Sequence, residues 1–157
     1  MPKGFWLADG GGHFVQALAP VDINGGKTSD VWSMGKYAHA SIQILLGVTG
    51  GATTVTLEEC DNFAGDNNTA IAFSYYKEET AAGDTLGTKT AATNSGFAAS
   101  TNDGVFYIIE IDAAALSDGK PCLQVQLSNP SGATFGAIGV VLTGARYGQE
   151  QSPTAIA

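Results

Sequence analysis

Ser41–Asp61 reads SIQILLGVTGGATTVTLEECD. Ile42, Ile44, Leu46 and Val48 alternate with Ser41, Gln43, Leu45 and Gly47, while Val55 and Leu57 are set against Thr54, Thr56 and Glu58. Period two sends successive side chains to opposite faces, so each run has one buried face and one wet face. With Gly50-Gly51 between the runs, the pattern predicts a β-hairpin on the wall of a sandwich or barrel. Leu45 interrupts the polar face and is the first place to look for a partner.

The same grammar continues in both directions. Phe14–Val21 predicts a first strand, held to an edge by Pro20. Val31–Met34 is a short strand carrying Trp32. Ile71, Phe73 and Tyr75 share one face of Ala70–Glu79, and Val105–Asp112 is the most apolar strand. Leu123, Val125 and Leu127 alternate with glutamines, and Ile138, Val140 and Leu142 point inward from Phe135–Tyr147. Leu86–Ala92 is a weak edge strand, and Ala113–Lys120 is a single helical turn or a crossover. About eight strands predict an all-β fold, a two-sheet antiparallel sandwich. A jelly roll comes first, because long connections near 62–69, 93–103 and 113–120 suit strands that switch sheets. An immunoglobulin-like sandwich comes second. Residues 1–14 form an N-terminal arm, 15–148 one domain and 149–157 a tail.

Composition narrows the function. The 157 residues are 44% hydrophobic, enough for one packed core without a staple. Charged residues make up 14%, against about 25% in average soluble domains. A surface so lightly charged favours an assembly subunit. Net charge is −8, and the lysines and Arg146 form no cluster, which argues against direct nucleic-acid binding and against an anionic membrane. A basic or neutral protein surface suits this chain better. The N-terminal MPKGFWLADGGGHF lacks a signal-peptide pattern, and no run approaches the roughly 18 apolar residues of a membrane span. Cys60 and Cys122 could pair on adjacent strands, but cytoplasmic chemistry predicts two reduced thiols.

Catalytic patterns are missing. Nucleophilic catalysis needs a serine or cysteine beside an oriented base, and the two histidines are His13, in the glycine-rich arm, and His39, at a strand start. Glu58 and Glu59 are adjacent and therefore point to opposite faces, so they cannot flank one bond. Glu110 and Asp112 share a face, and one of them could be buried. Asp61, Asn62, Asp66, Asn67 and Asn68 make an oxygen-rich loop without calcium-loop spacing, which predicts side-chain-to-backbone turns. The reading is a non-enzyme without metal or cofactor. Among the aromatics, Trp6 and Phe5 with Leu7 would anchor the arm, while Trp32 and Tyr147 are candidates for partner or glycan contact.

The words ILLGVTGGATTVTLEECDNF, TAIAFSYY, GDTLGTKTAAT, IDAAALSDGKPCLQVQLS and LTGARYGQEQSPTAIA lie in the stretch Ser41–Ala157, about three quarters of the chain. In these the chain resembles a family of small tailed-bacteriophage structural proteins encoded beside the major capsid protein. The resemblance implies a virion protein made in the host cytoplasm. It also implies a capsid decoration or cement subunit, homo-oligomeric and most simply trimeric, whose partner is the major capsid protein. A carbohydrate- or receptor-binding module, or a head–tail component, is the alternative. The expected interface residues are Phe5, Trp6, Leu7, Trp32, Leu45 and Tyr147.

Overall fold

The structure is a computed structural model that describes residues 4, 6–8, 11–79 and 85–146. Its strands are β1 (His13–Asp22), β2 (Lys27–Thr28), β3 (Trp32–Ser33), β4 (Tyr37–Thr49), β5 (Thr54–Cys60) and β6 (Thr69–Ile71), followed by β7 (Phe73–Glu78), β8 (Thr90–Ala92), β9 (Phe97–Ala98), β10 (Val105–Asp112), β11 (Cys122–Leu127) and β12 (Thr134–Ala145). One sheet has the order β1-β12-β4-β10-β7-β8 and the other β2-β11-β5-β6, with β3 on β11 and β9 on β5. All pairings are antiparallel. The fold is therefore the expected all-β two-sheet sandwich. The strand number exceeds eight because the second sheet is completed by pieces of two or three residues.

Ile42, Ile44, Leu46, Val55 and Leu57 are all buried, as their period requires. The hairpin, however, is wrong. β4 pairs with β10 and β12, whereas β5 pairs with β11, β6 and β9, so Gly50-Gly51 carries the chain from one sheet to the other. Alternation fixes which face of a strand is buried and says nothing about which strand lies beside it. A second crossover, 128–133, runs back from β11 to β12 against the first. Gly50 donates its N–H to Thr134 Oγ1 (3.0 Å), and Thr53 donates its hydroxyl to Ser128 O (2.6 Å). Val48 keeps the inward phase but lies past the first β10 pairing at Leu46, and it is exposed.

Between the sheets lies one apolar core drawn from both. At its β7–β9 side, Tyr75 stacks on Phe97 (3.8 Å between ring centres), and Tyr107 packs against Phe97 at 5.0 Å. The Tyr107 hydroxyl accepts the Ser100 N–H (2.7 Å), which satisfies the polar end of a buried ring. Two outer strands close the larger sheet. β1 is one edge, broken by register shifts between Gln16 and Val21 and carrying Pro20. β8 is the other edge. Bulges and proline are common ways to blunt an edge against unwanted pairing.

Candidate functional site

The antiparallel register brings His39, Ser41, Glu110 and Asp112 together. Asp112 lies opposite His39 and Glu110 opposite Ser41, so all four project from the outer face of the larger sheet. His39 Nδ1 is 2.7 Å from Asp112 Oδ1, and Nε2 is hydrogen-bonded to Glu110. The Ser41 hydroxyl donates to Glu110 Oε1 (3.0 Å) rather than to the imidazole. Both carboxylates are exposed, contrary to the expectation that one could be buried, because their phase on β10 is outward. The two approach different nitrogens of the ring, so their oxygens do not converge with it on a common point. This geometry clamps a doubly protonated imidazolium across β4 and β10.

Burial alone would lower the His39 pKa, but hydrogen bonds to Asp112 and Glu110, with their charges, outweigh it and raise it. A pKa higher in the folded than in the unfolded chain stabilises the fold below the unfolded value of about 6.5, and the gain is lost as pH rises through the folded value. His39→Gln should therefore lower the thermal midpoint most near pH 6, with the gap to wild type closing toward pH 9. A gap independent of pH in parallel melts would show that the imidazolium contributes nothing.

Beyond that cluster the outer face is mainly apolar, with Gln16, Gln43, Ser74 and Thr143 as its uncharged polar positions. Phe14 pairs with Val141, Ala137 with Leu45, and Leu45 with Phe106, while Ile108 stands opposite Gln43 and Tyr76. Phe135 sits beside Gly47. Leu45 is 50% exposed, Phe135 51% and Phe14 56%, high values for side chains of this size. A shallow groove beside them is lined by Phe14, Leu18, Pro20, Ala137 and Gly139. Outward positions on β1, β12, β4, β10 and β7 hold no lysine or arginine; Asp22, Glu78, Glu110 and Asp112 are their acids.

The expected contact residues divide. Leu45 lies on this face, as its position in the alternation indicated. Trp6 is 72% exposed, and half-buried Leu7 accepts the Gly12 N–H through its carbonyl (2.8 Å). Phe5 and Tyr147 lie outside the described residues. Trp32 needs correcting: it is fully buried in the core, paired through β3 with Leu123 of β11. Its ring can meet neither a partner nor a sugar. Phe14 and Phe135 were missed, although both sit one residue out of phase with inward-facing Val15 and Gly136.

No known protein family matches the chain, and no curated protein matches it. Among solved structures, the chain is similar to the SPBc2 prophage-derived protein YomS, at 14% identity and a TM-score of 0.47. The likeness covers 84% of this chain and 93% of that one.

The polar groups of the 61–68 loop, Glu58, Glu59 and Glu79 are held by local partners. The Asn62 carbonyl oxygen of the side chain accepts the Ala64 N–H (2.9 Å), its amide donates to Asp66 (2.9 Å), and Asn67 donates to Asp61 (2.6 Å). These are the side-chain turns expected of the 61–68 loop. Glu58 and Glu59 do split across the sheet: Glu58 accepts from Gln124 (2.7 Å) on the outer face, and buried Glu59 accepts the Ser117 N–H (2.8 Å). Glu79 gathers Lys77, Ser100 and Asn102, and hydrogen bonds from these, Lys77 foremost, pull its carboxyl down to about 2.

Proposed function

We propose that this chain is a virion structural protein of a tailed bacteriophage, a non-enzymatic capsid decoration or cement subunit that binds the assembled head. The observation that carries this reading is the outer face of the larger sheet, where Phe14, Leu45 and Phe135 stand exposed around Ala137 and Gly139. Soluble monomers rarely leave a contiguous apolar sheet face open, and such patches mark contact surfaces. The resemblance of its sequence to small tailed-phage structural proteins supports the kind of contact.

The chemistry of the face fits that role. A binder that recognises the lattice and not the free subunit stabilises the shell by mass action. Aromatic and aliphatic anchors on a face without lysine or arginine favour a capsid surface that is neutral or basic. A trimer would match the local threefold points of a shell and place three such faces on it. The exposed Trp6 on the N-terminal segment would add an anchor to a neighbouring subunit.

Quantitative mass spectrometry of purified particles tests the reading. A copy number near that of the major capsid protein is the expected result, whereas tens of copies or fewer would make the chain a head–tail component. Absence from particles would refute the virion assignment. Leu45→Asp combined with Phe135→Asp should reduce occupancy by about 100-fold, the worth of two lost anchors. Its melting midpoint should stay near wild type, since both side chains already face water.

A further inference from the structure

We propose that Cys60 and Cys122 are a disulfide-forming pair, joined within the chain once it meets an oxidising medium, and that the 61–68 loop is the cover that must open first. The β5–β11 register sets Cys60 directly opposite Cys122. Directly opposed residues of antiparallel strands have Cα atoms about 4.5–5.5 Å apart, inside the range a disulfide spans. The register therefore places the pair within disulfide reach.

Their surroundings are unusual for their phase. Along β5 and β11 the outward pairs are Thr56–Gln126, Glu58–Gln124 and then Cys60–Cys122. The first two pairs are polar and the third is apolar, yet both cysteines are buried. They form a cluster apart from the main core, with Val31 and half-buried Phe63 packed against them. Phe63 belongs to the 61–68 loop, which folds back over the outer face of the smaller sheet so that Gly65 lies against the Gln124 side chain. Lys120 latches it: Nζ donates to Asn67 O (2.7 Å) and to the Thr69 hydroxyl.

Under the closed loop the thiols are inert. Burial pushes Cys60 up to about 11 and also raises Cys122, so the reactive thiolate is scarce at neutral pH. Opening the loop admits water and reagent. One cysteine then loses its proton to solvent and attacks a sulfur of oxidised glutathione, expelling one glutathione thiolate. The second cysteine, also deprotonated, attacks the mixed disulfide and expels the other. Two electrons pass to glutathione disulfide, giving two glutathione molecules and one protein disulfide. This inference does not depend on the capsid reading.

The test uses the full reduced chain, incubated with oxidised glutathione and then blocked with N-ethylmaleimide. Native mass should fall by two hydrogens, and a non-reducing peptide map should join the Cys60 and Cys122 peptides. The melting midpoint should rise by roughly 5–10 °C, reversibly with dithiothreitol. Cys60→Ser and Cys122→Ser should show neither the link nor the rise. Lys120→Ala should form the same link about 10-fold faster, because it releases the cover. A glutathione adduct that never resolves, linkage only between chains, or no link in either wild type or Lys120→Ala would overturn the pairing. An unchanged rate in Lys120→Ala would overturn the role of the loop.

Discussion

Gly51→Ala should cost the fold about 3 kcal/mol, the upper range of overpacking by a single methyl. A Cβ built on Gly51 falls 2.0 Å from Pro130 O and 3.1 Å from Pro130 C, both backbone atoms. Gly50 is nearly as confined, with Ala133 O at 2.6 Å, and Gly132 in turn would meet Gly50 O at 2.5 Å. The two crossovers between the sheets thus pack backbone on backbone, and neither side chains nor rotamers can yield. Relief requires one crossover to move away from the other. That motion would pull on the Thr53–Ser128 and Gly50–Thr134 hydrogen bonds that tie the two crossovers to each other, one at each end. Gly139→Ala is the control, because nothing lies within 4 Å of its Cβ and it stays in a strand. Urea melts should place the control within about 0.5 kcal/mol of wild type. A Gly51→Ala protein as stable as the control would mean that the two crossovers do not touch.

This expectation turns on a point the alternation could not supply. The period of Ser41–Asp61 placed Ile42, Ile44, Leu46, Val55 and Leu57 inside and Leu45 outside, and the same logic sorted β10, β11 and β12. Partner choice is a different matter, since a Gly-Gly pair serves a tight hairpin and a crossover equally well. What selects the crossover is the space left by Pro130–Ala133, some eighty residues later in the chain. The cysteines illustrate the same limit. Their outward phase was legible from Leu57 and Leu123, but their burial comes from a loop folded over the sheet, which has no period.

The candidate surface was half legible for the same reason. Leu45 stood out because it broke a polar face within a long strand. Phe14 and Phe135 stand at strand starts, where too few neighbours precede them to set a phase by inspection. His39, Glu110 and Asp112 were each visible, and only the pairing of β4 with β10 brought them into one cluster. The register adds the apolar rows between them, since β12 and β10 flank β4 and align their outward residues with Leu45. A contact face built from five strands cannot be seen in any one of them.

Trp32→Ala should be the most damaging single truncation, at about 3–5 kcal/mol. The side chain is fully buried, and β3, its only strand, is two residues long, so packing rather than a ladder holds it. Its neighbours in the sequence, Val31 and Met34, are buried too, which leaves no alternation to distinguish a core anchor from a surface aromatic. Trp32→Phe should cost much less than the lost volume suggests, below about 2 kcal/mol. The indole Nε1–H is buried without a hydrogen-bond partner among the described residues, a defect worth about 1–3 kcal/mol that the phenyl ring removes. Urea unfolding followed by the blue-shifted emission of the buried indole, against that of exposed Trp6, measures the wild type. Far-ultraviolet circular dichroism measures both variants. If Trp32 were a partner-contact residue, Trp32→Ala would leave the midpoint in place and lower only particle occupancy. Equal losses for Trp32→Phe and Trp32→Ala would instead mean that Nε1 has a partner in solution and that its hydrogen bond, not the ring's volume, anchors β3.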